Sequence, residues 1–259
     1  MLIIENFTPQ GPGIRQLILE KISLPAQVSH IPRLRLLGLL QESLSSRVST
    51  IISGRAGSGK TVLSADFAER CGRAIAWYKV DAPDGDLQVF FNYLIASIQQ
   101  HRPEFGQENL RPLLRSAELE RIPLLAEAFV YELLEGEHRP LLIVVEDLHL
   151  VCDAQWVVPF FQRLLPLLPA DVHMLITSRT MPPAPFWRMR SKQMLSVIDE
   201  AELFFNRPEA IELFESRGLS REQAAIALDH THGRPAALNA SAESMKTTAA
   251  SVTCTAARE

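Results

Sequence analysis

Four short runs of apolar residues, each ending in a polar or glycine-bearing turn, set the rhythm of this chain: 48–53, 74–80, 141–145 and 172–177. Their apolarity is continuous rather than alternating, the pattern of strands buried on both faces. A weaker fifth run covers Met194–Ile198. Between them lie stretches with helical spacing. Leu34, Leu36, Leu37, Leu40 and Leu44 form one, and residues 60–70, stopped by Gly72, form another. Two more are expected at about 86–100 and 120–135, separated by a polar loop. Strands alternating with helices predict an α/β fold, a parallel sheet with helices on either side.

The pattern changes after Asp199. Asn206 to Glu209 is a capping box with a proline in the first turn, and Ser220 to Gln223 is a second. Two short helices start there and a third near Pro235, making a small helical lid. The organisation read from the chain is therefore a leader and entry segment at 1–45, an α/β core at 46–198 and a helical lid at 199–247. The leader, with its prolines and glycines up to Pro25, is expected to be partly extended. From about Ala240 no periodicity remains, and 248–259 is expected to be a disordered tail or the scar of a truncation.

Composition adds limits. Hydrophobic residues make up 47% and charged residues 22%, an ordinary globular balance, and the formal net charge of −4 argues against a general trap for nucleic acid. The N-terminus lacks a basic-then-apolar secretion pattern. The longest apolar candidate is interrupted by Pro159, Arg163, Pro166 and Pro169, so no membrane span is expected. Three widely separated cysteines give neither a disulfide framework nor a zinc spacing, which suits a cytoplasmic protein.

The sharpest chemistry lies between the first run and its helix: Gly54-Arg55-Ala56-Gly57-Ser58-Gly59-Lys60-Thr61. Glycines let the backbone turn tightly and bring N–H groups to one phosphate, and the following helix adds its dipole. Gly54, Ala56, Gly57, Ser58, Gly59, Lys60, Thr61 and Val62 are thus the candidate contacts to ATP or ADP. Lys60 is placed to reach the β- and γ-phosphates and the Thr61 hydroxyl to ligate Mg²⁺. The pattern arises by chance in about one chain of this length in a hundred. Its setting, after a strand and opening a helix, makes chance a poor explanation. Glu146 and Asp147 follow the most apolar run; one acid can hold the Mg²⁺ shell and the other can orient water, so Glu146 is taken with Thr61 as metal ligand, and Asp147, Glu146, Lys60 and Arg179 form the candidate catalytic set. Arg179, at the end of the next run, is placed to stabilise charge on the γ-phosphate.

Taken together, these residues resemble the nucleotide-binding module of the MalT-like group of STAND signal-transduction ATPases, many of which carry LuxR-type DNA-binding domains. The resemblance spans roughly 21–245. It runs through Lys21–Pro25, the P-loop, Ala76–Tyr78 with Val80 and Asp81, Phe91–Ile95, Val145–His149, Ile176–Arg179 and Gly233–Leu238. It implies a P-loop NTPase of the additional-strand type, with the sensor strand between the two motif-bearing strands, and it implies that Pro235 of the lid lies against the adenine. It further implies a slow ATPase switch in the cytoplasm: ADP holds a closed state, and ATP plus an inducer favours an open, self-associating one. The chain departs from the group in having Glu146 before Asp147 where two aspartates are usual, and Leu24 where arginine is usual. The group's helical-repeat sensor and DNA-binding domain are not in this chain, so a fragment or a truncated protein is expected.

Three alternatives stay open. A scaffold that binds nucleotide without turnover fits the Glu146–Asp147 order. A P-loop small-molecule kinase would need an arginine-rich closing lid, and the lid arginines here are scattered. A DNA-remodelling ATPase would be expected to show a basic face. His230 and His232 lack neighbouring ligands for a metal, His149 could touch the site or anchor its loop, and Pro182–Lys192 mixes aromatic and basic residues as solvated loops do.

Overall fold

The computed structural model describes residues 17–26, 31–115, 118–135, 139–181, 186, 190–192 and 194–256. The leader before Leu17 and most of the 182–192 segment lie outside the described residues.

Five strands form one sheet: β1 (Ser49–Ser53), β2 (Ala74–Lys79), β3 (Leu141–Glu146), β4 (Val172–Ser178) and β5 (Leu195–Ile198). Their order is β2-β3-β4-β1-β5 and every pairing is parallel. β4 therefore lies between the strand that leads to the P-loop and the strand that ends in the acids, the arrangement expected of the additional-strand class. The continuous apolarity of β3 now has its explanation. Leu141, Ile143 and Val145 face one apolar cluster, while Leu142 and Val144 face another. Side chains alternate between faces, and here both faces are covered.

On the first face pack α3 (Leu87–Gln99), α5 (Ile122–Leu134) and α6 (Val157–Leu164), which contribute Phe90, Phe91, Phe129, Phe160 and Phe161 in mostly edge-to-face contact. On the second lie α1 (Leu34–Ser46), through Leu36, Leu37, Leu40 and Leu44, and α2 (Lys60–Arg70), through Leu63 and Phe67. Each such side chain, fully buried, contributes about 1.5–3 kcal/mol relative to exposure. The leucine stretch of α1 is core, as its spacing implied.

The polar loop between α3 and α5 holds a further short helix, α4 (Leu110–Arg115), that its sequence did not signal. Buried Glu132 of α5 accepts the amide N–H groups of Gly106, Asn109 (2.7 Å) and Leu110 (2.8 Å), which anchors that loop. Beneath the sheet's other end His173 is buried between Thr50 Oγ1 and the Arg47 carbonyl, and burial pushes its pKa down to about 4.

After β5 come α7 (Arg207–Glu215), α8 (Arg221–Thr231) and α9 (Pro235–Ala256). Both capping boxes form as read, with Asn206 and Ser220 accepting from the N3 amides. Ala210, Leu213, Phe214, Ala224, Ala227, Leu238 and Ala242 make a third apolar cluster. Helical backbone continues as far as Ala256, into the stretch expected from 248 to be a disordered tail. Proline at its first position opens the helix, and no glycine or proline follows to stop it. Alanine is the strongest helix former, so helical propensity continues where hydrophobic periodicity fades.

Candidate functional site

β1 delivers the glycine-rich loop to the middle of the sheet's C-terminal edge. Gly54 still belongs to the pairing, its N–H donating to the Ser178 carbonyl at 3.1 Å. Gly57 and Gly59 take φ of 78° and 85°, the left-handed region that favours glycine. At Gly57 space is closed as well, since a Cβ there would lie 2.8 Å from Ala236 Cβ. α2 then begins with Gly59 as its N-cap and no side chain capping its amides.

Lys60 is buried beneath this loop. Its Nζ donates to Gly54 O at 2.5 Å and Arg55 O at 3.1 Å. Burial lowers its pKa, and the nearby charges of Asp147 and Glu146 oppose that shift. Thr61, one residue on, donates its hydroxyl to Glu146 Oε1 at the end of β3. Burial raises the Glu146 pKa, Asp147 adds to the rise, and the Thr61 donation opposes it. The structure thus brings two hard oxygen donors together beside a glycine cradle, a set that fits Mg²⁺ next to a polyphosphate.

Asp147 follows in the left-handed region, at φ 58° and ψ 36°, with its N–H donating to Thr177 Oγ1 of β4 at 2.9 Å. His149 Nδ1 stands 3.7 Å from Asp147 Oδ1, so this histidine does reach the acidic end of the site. Burial lowers its pKa below the ordinary 6.5, the Arg179 and Lys60 charges lower it further, and Asp147 opposes them. Arg179 is exposed at the end of β4, close enough for its charge to be felt at Lys60 and His149. Val62 lies in the first turn of α2 with its side chain largely exposed.

The lid meets the loop directly. The Ala236 N–H donates to Gly57 O at 3.1 Å, and Pro235 Cβ lies 3.8 Å from where a Gly59 Cβ would be. Between them is a cavity of about 130 Å³, lined in part by Ala56, Ser58, Glu200, Phe204 and Pro235. Sequence reasoning missed three contacts at the loop, the lid and the acidic strand end. Arg55 pairs with Glu200 at 2.9 Å, joining the loop to the segment after β5. Arg33, before α1, donates to Leu203 O at 2.5 Å, Phe204 O at 2.8 Å and Glu209 Oε2 at 2.8 Å, and its guanidinium lies 4.1 Å from the Phe205 ring centroid. Thr177, whose hydroxyl accepts the Asp147 N–H, is the third; it lies within the Ile176–Arg179 segment of the resemblance but was given no role of its own.

Gly233 fixes the approach of the lid helix. The Phe205 N–H donates to Gly233 O at 2.7 Å, and a Cβ on Gly233, whose φ is 74°, would lie 2.3 Å from Phe205 O. That obstacle is backbone and cannot step aside. Gly233→Ala is expected to cost about 2–4 kcal/mol through strain and a displaced α9. Limited proteolysis checks it: cleavage after 199 should rise while the core fragment persists, and an unchanged digest would contradict the role given to Gly233. His232, at φ 51°, caps α8, which is a structural use for that histidine.

A glycine loop between a strand and a helix, a buried lysine, and acids at the end of a strand two places away define a P-loop NTPase. Residues 33–177, more than half of the chain, match the family described as the AAA ATPase domain, and the chain belongs to that family. It is a nucleotide-binding P-loop ATPase domain.

Among solved structures it is similar to the Walker-type ATPase PABY2304 of Pyrococcus abyssi, with 14% identity, 83% of this chain and 67% of that one covered, and a TM-score of 0.49. It is also similar to the Aeropyrum pernix ORC1 protein in complex with DNA, with 14% identity, 83% and 59% covered, and a TM-score of 0.46. A further match is to Drosophila ORC bound to AT-rich DNA and Cdc6, with 13% identity, 64% and 53% covered, and a TM-score of 0.38. The chain thus spans between about half and two thirds of the length of these proteins. Among the described residues no helix is long and apolar enough to cross a membrane.

Proposed function

We propose that this chain is an ATP/ADP-binding regulatory switch with slow Mg²⁺-dependent hydrolysis, the nucleotide-binding part of a MalT-like STAND regulator. The observation that carries the reading is the bond from the Ala236 amide to the Gly57 carbonyl. It couples the start of the lid helix to the loop that holds phosphate, so whatever occupies the loop acts on the lid. In this reading residues 46–198 are the core, 199–247 the lid, and 1–45 the leader and entry segment.

The amides of Gly57 to Thr61 and the Lys60 ammonium hold the β- and γ-phosphates. Thr61 and Glu146 would hold Mg²⁺, which would supply positive charge to the phosphate oxygens. Asp147 orients the attacking water and accepts its proton, while Arg179 offers positive charge to the transferring group. Pro235 covers the adenine. Hydrolysis is slow because Glu146 is buried and tied to Thr61, which leaves one carboxylate for the water.

A switch requires that ATP and ADP favour different lid positions, since a ligand with equal affinity for both shifts nothing. Hydrogen exchange of the amides at 233–240 is expected to be slower with ADP than with a slowly hydrolysed ATP analogue. The ATP form should also elute from a sizing column as the larger species. Identical exchange and identical elution with both nucleotides would leave a static scaffold as the better reading.

A further inference from the structure

The acids at the end of β3 lie on one side of β1, and β5 with the lid that follows it lies on the other. Phosphates held in the loop with their metal toward β3 leave the β5 side for the base. The 130 Å³ cavity is on that side. Its walls are small or apolar (Ala56 of the loop, Phe204 after β5, Pro235 and Ala236 of the lid), and Glu200 adds a carboxylate; Arg234, which also lines it, is exposed. Glu200 is held twice. Its backbone sits in a closed turn, where Asp199 Oδ1 accepts the amides of Ala201 (2.9 Å) and Glu202 (3.1 Å), and Glu202 Oε2 accepts the Asp199 N–H at 2.9 Å. Its side chain takes the Arg55 Nε–H between both oxygens, at 2.9 and 3.1 Å. A carboxylate has about four acceptor sites, so this pairing leaves others for a ligand. The glycine-loop pattern leaves position 55 open and does not extend to Glu200, so phosphate binding alone explains neither residue. A negative charge beside a polyphosphate opposes binding unless a contact to the ligand offsets it.

We propose that Glu200, held in place by Arg55, selects adenine: its carboxylate accepts the 6-amino group of a base seated in the cavity against Phe204 and Pro235. The chemistry discriminates because adenine carries a donor at position 6, whereas guanine and hypoxanthine carry a carbonyl acceptor there. A carboxylate only accepts, so a 6-oxo base sets oxygen against oxygen. This inference rests on the reading of Pro235 as the cover of the adenine.

Equilibrium binding of ADP, GDP, inosine diphosphate and pyrophosphate to the whole chain tests this, with Glu200→Gln and Glu200→Ala in parallel. The unaltered chain is expected to bind ADP about tenfold or more tighter than inosine diphosphate or GDP, the scale of one hydrogen bond to a charged group. Glu200→Gln can donate as well as accept, so ADP and inosine diphosphate should come within about twofold of each other. In Glu200→Ala, ADP affinity should fall to that of inosine diphosphate. Equal binding of ADP and inosine diphosphate by the unaltered chain, or an ADP preference that survives both substitutions, overturns the proposal. So does a preference for GDP, which would turn the carboxylate to the N–H edge of guanine. Pyrophosphate bound as tightly as ADP would mean that the base is not held, and removes the reading of Pro235 as well. Affinity that depends on the base but not on its 6-substituent removes only the role of Glu200. A chain that binds none of the four counts against both.

Discussion

Lys60→Ala is expected to weaken ADP and ATP binding by about 100- to 1,000-fold, which corresponds to roughly 3–4 kcal/mol. The size follows from where the ammonium lies. It is buried under the loop, with Gly54 and Arg55 carbonyls as its partners. Phosphates enclosed by amides alone would keep their hydrogen bonds but lose the compensating charge. Truncation also leaves two loop carbonyls with one partner fewer, so a modest fall in melting temperature should accompany the loss. Equilibrium binding of a fluorescent ADP analogue checks the affinity, and thermal melting without nucleotide checks the fold. Near-normal affinity in this variant would mean that nucleotide is held elsewhere.

The two acids should separate in a second experiment. Asp147→Asn is expected to slow hydrolysis by about 100-fold, within the range of a lost general base, while ADP affinity changes by no more than about threefold. Glu146→Gln should instead lower the Mg²⁺-dependent part of the affinity, because Glu146 is the carboxylate in contact with Thr61. A magnesium titration at fixed ADP distinguishes them: the glutamine variant should need more metal and the asparagine variant the same amount. If Asp147→Asn removes metal-dependent binding and Glu146→Gln removes only turnover, the roles of the two carboxylates are reversed.

How much of this was legible beforehand differs by element. The run Leu141–Val145 announced a strand buried on both faces, because period-two alternation is absent only when both sides are covered. The P-loop was legible for a similar reason. Its residues are neighbours in sequence, so spacing alone carries the geometry. The strand order was not available from the local pattern, which records periodicity rather than partners; only the place of β4 between β1 and β3 was expected, from the family resemblance. α4 was hidden because it is short and its loop is anchored by Glu132, distant in sequence. The extent of α9 was missed because small residues support a helix without marking a hydrophobic face. The contacts of Glu200, Arg33 and Thr177 span 30 to 176 residues, and nothing in the local sequence encodes such pairings.

Calorimetric titration of ADP with Mg²⁺ into the purified chain addresses the central claim most directly, since that claim is that residues 54–61 enclose a polyphosphate. One saturable site per chain, weakened when Mg²⁺ is withheld and competed by ATP, is the expected result. No binding heat at any magnesium concentration, with melting temperature unmoved by either nucleotide, would contradict it.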